Sequence, residues 1–174
     1  GELELGSLLE RLMRVMVENA GAQKGILVLN HGGALEVEAQ VTVEPYRIQF
    51  GLRQPIDQSA ELAASVVQYV ARSKETVVLE NATTEARFAR DRYIASRRPK
   101  SLLCLAMLHQ GRLVGVLYLE NNAATNAFSE ERVEIVCVDA LPAESAHDFA
   151  LQHAGAVFGE LLDDVCADCV GLCV

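Results

Sequence analysis

Long apolar runs are missing from this chain. No uncharged stretch reaches the roughly 18 residues that a helix needs to cross a bilayer, so no membrane span is expected. The beginning, GELELGSLLERLMR, lacks the basic, apolar and small-residue plan of a secretory signal. Positive charge is also short: 15 Lys and Arg face 24 Asp and Glu, a net charge of −9. Such a field repels phosphates and argues against nonspecific contact with nucleic acid or anionic membrane. Cysteines are few and odd in number, five with three bunched at the end, unlike a secreted disulfide framework. No Ser/His/Asp set with a nucleophile turn, no phosphate-cradling glycine loop and no kinase signature occurs. These absences lead to the expectation of a cytoplasmic, non-catalytic protein without nucleic-acid or membrane partners.

What is present is a core. The chain is 51% hydrophobic and 22% charged, a balance that favours a packed globule. Its 174 residues suit one domain with a substantial interior. The central stretch, residues 101–121, reads SLLCLAMLHQGRLVGVLYLEN. Two apolar runs, 102–108 and 113–119, flank His109-Gln110-Gly111-Arg112, a polar and glycine-bearing reversal that predicts a β-hairpin. Both sides of each run are largely apolar, so this hairpin belongs in mid-sheet with both faces covered. Val114, Val116, Tyr118 and Glu120 are expected on one face, where a phenol and a carboxylate need partners.

The flanking elements follow from periodicity. Leu5, Leu8, Leu9, Leu12, Met13, Met16 and Ala20 recur at helical spacing, and Gly21 closes that helix. Residues 25–29 read as a short buried strand, and Asn30-His31-Gly32-Gly33 as a turn in which His31 is a solvated residue. Leu35, Val37, Ala39, Val41 and Val43 alternate strictly with polar residues, predicting a strand with one wet face. Tyr46, Ile48, Phe50 and Leu52 predict an edge strand before Pro55. A helix over 62–72 and a strand over 76–80 come next. Ser129-Glu130-Glu131 is a strong helix start, with Val133, Val136, Cys137 and Leu141 on its apolar stripe. Helical spacing resumes from Phe149 to Val165.

One segment runs against the overall charge. Residues 85–100 hold Arg87, Arg90, Arg92, Arg97, Arg98 and Lys100 against Glu85 and Asp91. Guanidinium groups can pair with an anionic ligand, or the segment is a solvated face that pairs with nearby carboxylates. Phe88, Tyr93 and Ile94 are its expected inward side.

Three parts of the sequence together resemble the GAF domain family: SLLCLAML with GRLVGVLYLENN, then AFSEERVEIV, and earlier ELAASVVQYVARSKETVVLENA with its Asn81-Ala82 step. The likeness is to GAF modules of multidomain signalling kinases and spans about residues 5–136. It implies an α/β (α+β) fold with a GAF/PAS-like antiparallel sheet of about five to six strands. The N- and C-terminal helices would lie on one face, with a small-molecule pocket beneath residues 85–100 on the other. The division is then a GAF domain over 1–141 and a helical extension of unassigned type over 142–174.

Carried over residue by residue, the resemblance makes Phe88, Asp91, Tyr93, Ser101, Cys104 and Tyr118 the pocket lining. Each has a structural alternative: Asp91 as a cap or arginine partner, Ser101 as a strand start, Tyr118 as a buried ring with a satisfied hydroxyl. Ala106 stands where the family has proline. The Asn-Lys, Phe and Asp-Glu signature of cyclic-nucleotide members is not met, and no Cys-His pair marks a bilin site, so neither ligand is expected. No cofactor is identified beyond an unknown small molecule. The expected function is sensory or regulatory: ligand binding or dimerisation coupled to a kinase-type output domain elsewhere, with a homodimer through the terminal helices.

Two alternatives stand beside it. One is a thiol enzyme of the free methionine sulfoxide reductase type, which needs an activated cysteine with a resolving partner. Cys104 has no obvious one. The other is a ligand-free dimerisation module. Cys166, Cys169 and Cys173 are weak metal candidates, because zinc and iron–sulfur sites usually take four ligands and only Cys137 is left as a fourth.

Overall fold

The computed structural model describes residues 2–109 and 111–139. The predicted hairpin is β5 (Ser101–His109) with β6 (Arg112–Asn121), antiparallel, reversing at Gly111 with φ +75°. Positive φ at that corner is open to glycine without steric cost. The other strands are β1 (Lys24–His31), β2 (Ala34–Val43), β3 (Tyr46–Pro55) and β4 (Val77–Leu79). All pairings are antiparallel, in the order β3-β2-β1-β6-β5-β4. The hairpin is therefore interior, and the strand after Pro45 is an edge, as the alternation predicts.

The two faces carry separate interiors. Leu102, Cys104, Val116 and Tyr118 pack with Val66, Val67 and Val70 of α2 (Ala64–Ser73) and with Tyr93 and Ile94 of α3 (Arg92–Arg97). Leu103, Leu105, Leu117 and Leu119 pack with Met13, Met16 and Val17 of α1 (Glu2–Ala20) and Val136 of α4 (Glu130–Asp139). The first and last described helices thus share one face, with α2 and α3 on the other. Residues 85–100 form a short 3-10 turn, Ala86–Phe88, and then the six-residue α3.

Strict alternation fails at bulges in three strands: β3, where residues 51–53 face Glu38 alone, and β2 and β6. In β2, Leu27 pairs with Ala39 but Val28 with Val37, so Glu38 is an extra residue. Leu35 and Val37 consequently join the α2 layer, whereas Ala39, Val41 and Val43 join the α1 layer. The expectation of one wet face along β2 is corrected accordingly: the strand changes sides. Glu38 Oε2 is buried there with no hydrogen-bond partner among the described residues. In β6, Met107 pairs with Gly115 and Leu108 with Leu113, so Val114 is extra and Leu113 packs with Val116 and Tyr118.

Candidate functional site

Register places Lys24, at the start of β1, opposite Glu120, at the end of β6. Alternation puts Tyr118 two residues back on the same face as Glu120, and α3 lowers Tyr93 onto both. Glu120 is 0% exposed and Lys24 only 8%. Tyr93 donates its hydroxyl to Glu120 Oε1 at 2.8 Å and Oε2 at 2.9 Å, and Tyr118 donates to Oε2 at 2.9 Å. Asn122 Nδ2 donates to Oε1 at 2.7 Å. Lys24 Nζ donates to the Tyr93 hydroxyl and lies 3.6 Å from Glu120 Oε1 and 3.6 Å from Glu61 Oε2. A buried carboxylate is tolerable only with partners of this kind. Burial and then the Glu120 charge push both phenols up from their ordinary range.

Two surface clefts border this cluster. One, about 570 Å³, lies between residues 56–60, the first turns of α2, and α3; Ile56, Leu62, Gln68, Arg92, Tyr93 and Ser96 are among its lining. The other, about 460 Å³, reaches Lys24 and Glu120 past Arg97, Arg98 and Lys100. Tyr93 borders both. Arg97 lies 3.6 Å from Glu61, while the guanidinium groups of Arg92 and Arg98 have no hydrogen-bond or ion-pair partner among the described residues.

Five of the six predicted lining residues come together on the α2/α3 side, with different surroundings. Tyr93 and Asp91 border the 570 Å³ cleft. Asp91 is also a structural clip: Oδ1 accepts from Tyr93 N at 2.8 Å and Ile94 N at 3.2 Å, capping α3, and Oδ2 accepts from Ser65 N at 3.0 Å and Ser65 Oγ at 2.6 Å at the start of α2. Phe88 is buried edge-on against Tyr69, 5.8 Å between ring centroids. Cys104 is fully buried, and burial drives its thiol well above the ordinary range. Tyr118 is fully buried, its hydroxyl also accepting from Ala63 N at 3.3 Å.

Ser101 is not with them. Odd-numbered residues of this part of β5 face α1, and Ser101 Oγ donates to Ala124 O at 2.8 Å and accepts from Ala127 N at 3.1 Å, holding the loop before α4. Its place in the lining is corrected to that loop anchor. Lys24, Glu61 and Asn122 were not visible as site residues; a lysine opening an otherwise apolar strand was the available signal for the first. Cys166, Cys169 and Cys173 lie outside the described residues, as does the helix expected over 149–165. Among the described residues no group of three or more His, Cys, Asp or Glu is placed to hold a metal.

A six-stranded antiparallel sheet between helical layers, with a short helix walling a cleft over one face, defines a GAF/PAS-like α+β module. The chain belongs to the GAF domain family, whose sequence pattern matches residues 4–144. It is 40% identical over 80 residues to hybrid signal transduction histidine kinase G of Dictyostelium discoideum, a match covering 46% of this chain and 2% of the kinase. Its fold is similar to residues 122 to 287 of a methyl-accepting chemotaxis protein, with TM-score 0.57, 15% identity, and coverage of 82% of this chain and 88% of that one. It is also similar to a type II free methionine-R-sulfoxide reductase from Thermoplasma acidophilum, with TM-score 0.56, 12% identity, and coverage of 80% and 89%. At such identities these two structures show the fold alone.

Proposed function

We propose that this chain is the sensory or regulatory module of a larger kinase-type signalling protein, and that a small molecule in the 570 Å³ cleft biases the arrangement of α1 and α4 in a homodimer. The observation that carries the reading is a run of contacts from the cleft to the opposite face. Tyr93, on the cleft wall, is fastened to Glu120. Glu120 O accepts from Gln23 N at 2.8 Å, and the next residue, Asn121, donates Nδ2 to Gly21 O at 2.7 Å just beyond α1. Gly21 is close against Arg132 of α4: a Cβ there would lie 2.6 Å from Arg132 Nη1. A ligand that shifts α3 would therefore act on the end of α1 and its neighbour α4. Coupling of this kind requires that the ligand bind the two arrangements unequally.

Native mass spectrometry of freshly purified protein tests both parts, with a retained small molecule and a dimer mass expected. Dimer without any retained or added ligand would favour a module that only dimerises. The close packing of Phe88, Cys104 and Tyr118, all buried in one apolar cluster, supports that second reading. A thiol enzyme is less well supported, since a nucleophilic cysteine needs access and thiolate character that Cys104 lacks. Thiol-dependent turnover of free methionine sulfoxide that disappears in Cys104→Ser would reverse that ranking.

A further inference from the structure

A third cleft, about 910 Å³, lies on the other face of the sheet, between the edge strand β4 and the first turns of α4. Thr76, Val78 and Glu80 form one wall, and Glu130, Val133 and Glu134 the other. Val78 is 38% exposed, although its neighbours Val77 and Leu79 are buried in the α2 layer. Among the described residues no strand pairs with the outer edge of β4. An unpaired edge beside an open valine is a surface at which another chain can add.

The charge of the groove selects the occupant. Its lining contains four carboxylates, those of Glu80, Glu85, Glu130 and Glu134, and no lysine or arginine. Glu85 is paired with Arg87 at 3.2 Å, whereas Glu80, Glu130 and Glu134 have no cationic partner among the described residues. We propose that this groove docks a lysine- or arginine-bearing extended segment of a protein partner, with an apolar side chain of that segment seated against Val78 and Val133. The chain's own remainder does not fit: residues 140–174 contain six Asp and Glu and no Lys or Arg. A second copy is a poorer match, because the whole chain carries −9 and its basic stretch, residues 85–100, is anchored to its own sheet by Phe88, Tyr93 and Ile94. Complementary charge of this sort sets partner choice and encounter rate, and the apolar contact resists dissociation.

The experiment titrates a capped peptide alternating lysine and valine into the isotope-labelled 174-residue chain, with an alternating glutamate and valine peptide as control. The lysine peptide is expected to bind saturably and to move the amide signals of Val78, Glu80, Val133 and Glu134, and the control to leave them in place. The double charge reversal Glu80→Lys with Glu134→Lys, at two exposed positions, should weaken binding about tenfold or more. Raised salt should weaken it in the same direction. No saturable binding overturns the proposal, as do signals that move elsewhere or an affinity indifferent to the charge reversal. Self-association that shifts both this groove and residues 85–100 also overturns it, and assigns the groove to a second copy.

Discussion

Tyr93 of α3 spans both oxygens of Glu120 on β6, 2.8 Å from one and 2.9 Å from the other. This is the buried polar fastening between the cleft wall and the sheet, and Lys24 completes it from β1. Tyr93→Phe removes the hydroxyl and keeps the ring. A hydrogen bond to a charged group is worth about 1.5–3 kcal/mol, so urea unfolding should show a loss of that order. Hydrogen exchange should quicken over residues 92–97 more than over β1 and β6. Glu120→Gln leaves Lys24 with only Glu61 as a carboxylate partner among the described residues and should cost about 3 kcal/mol, near the lower end for breaking a buried pair.

Asp91 separates a structural role from a ligand role. Asp91→Asn keeps Oδ1 as an α3 cap but replaces the oxygen that serves Ser65, and Asp91→Ala removes both. Loss of a cap alone costs about 1 kcal/mol. Thermal unfolding should therefore rank wild type above the asparagine variant and that above the alanine variant, with the alanine loss exceeding a single cap.

Alkaline pH should weaken the fold in two stages. The Cys104 thiol and the Tyr93 and Tyr118 phenols all hold their protons more tightly in the native state than at their ordinary values of 9.0 and 10.0. The unfolded chain releases those protons first, so native stability is intact below about pH 9, declines from there through Cys104, and declines faster above about pH 10 through the tyrosines. Each group adds at most about 1.4 kcal/mol per pH unit to the slope. Denaturant titrations from pH 7 to 11 measure the curve, and Cys104→Ala should remove its first stage.

The same burial makes Cys104 unreactive. Iodoacetamide labelling at pH 8, followed by peptide mapping, should leave the Cys104 peptide unmodified in native protein and modify it in urea. Rapid native labelling would show an opening of the α2 layer that its packing does not contain.

Gly115 has no room for a side chain. A Cβ there would collide with the carbonyl oxygen of Val28 on the neighbouring strand, and would also come within 3.3 Å of Met107 Cε. Backbone cannot yield as a side-chain tip does, so Gly115→Ala should cost about 3 kcal/mol, at the upper end for overpacking. The measurement is the urea midpoint against that of Gly111→Ala. At Gly111 the space is open and the cost is only that of positive φ.

The hairpin, the two covered faces and the edge position of β3 were legible because long apolar runs and turn residues report directly on burial. Glu120 was legible as a buried carboxylate needing partners, since Val116, Tyr118 and Glu120 share a face. Its actual partners were not, because Lys24 is 96 residues away in sequence and Tyr93 arrives from a six-residue helix with its own cap. The misplacement of Ser101 has a simple cause. The family likeness supplied its role, while the alternation from Leu102 to Cys104 already set it on the opposite face. The changes of side at Glu38 and Val114 were hidden for another reason: a bulge leaves the spacing of apolar residues untouched and alters only what that spacing faces.

That last point bears on how the chain tolerates a change of length. With Glu38 excised, β2 would run in regular register against β1, with Val37 and Ala39 still pointing in opposite directions and the bulge of residues 51–53 left on β3 at the outer edge, and the unpartnered oxygen would go with it. Excising Gln40 or Thr42 instead would break the parity of Ala39, Val41 and Val43 without relieving anything. Position 38 is thus where evolution or an engineer can shorten this strand by one residue and keep both interiors closed.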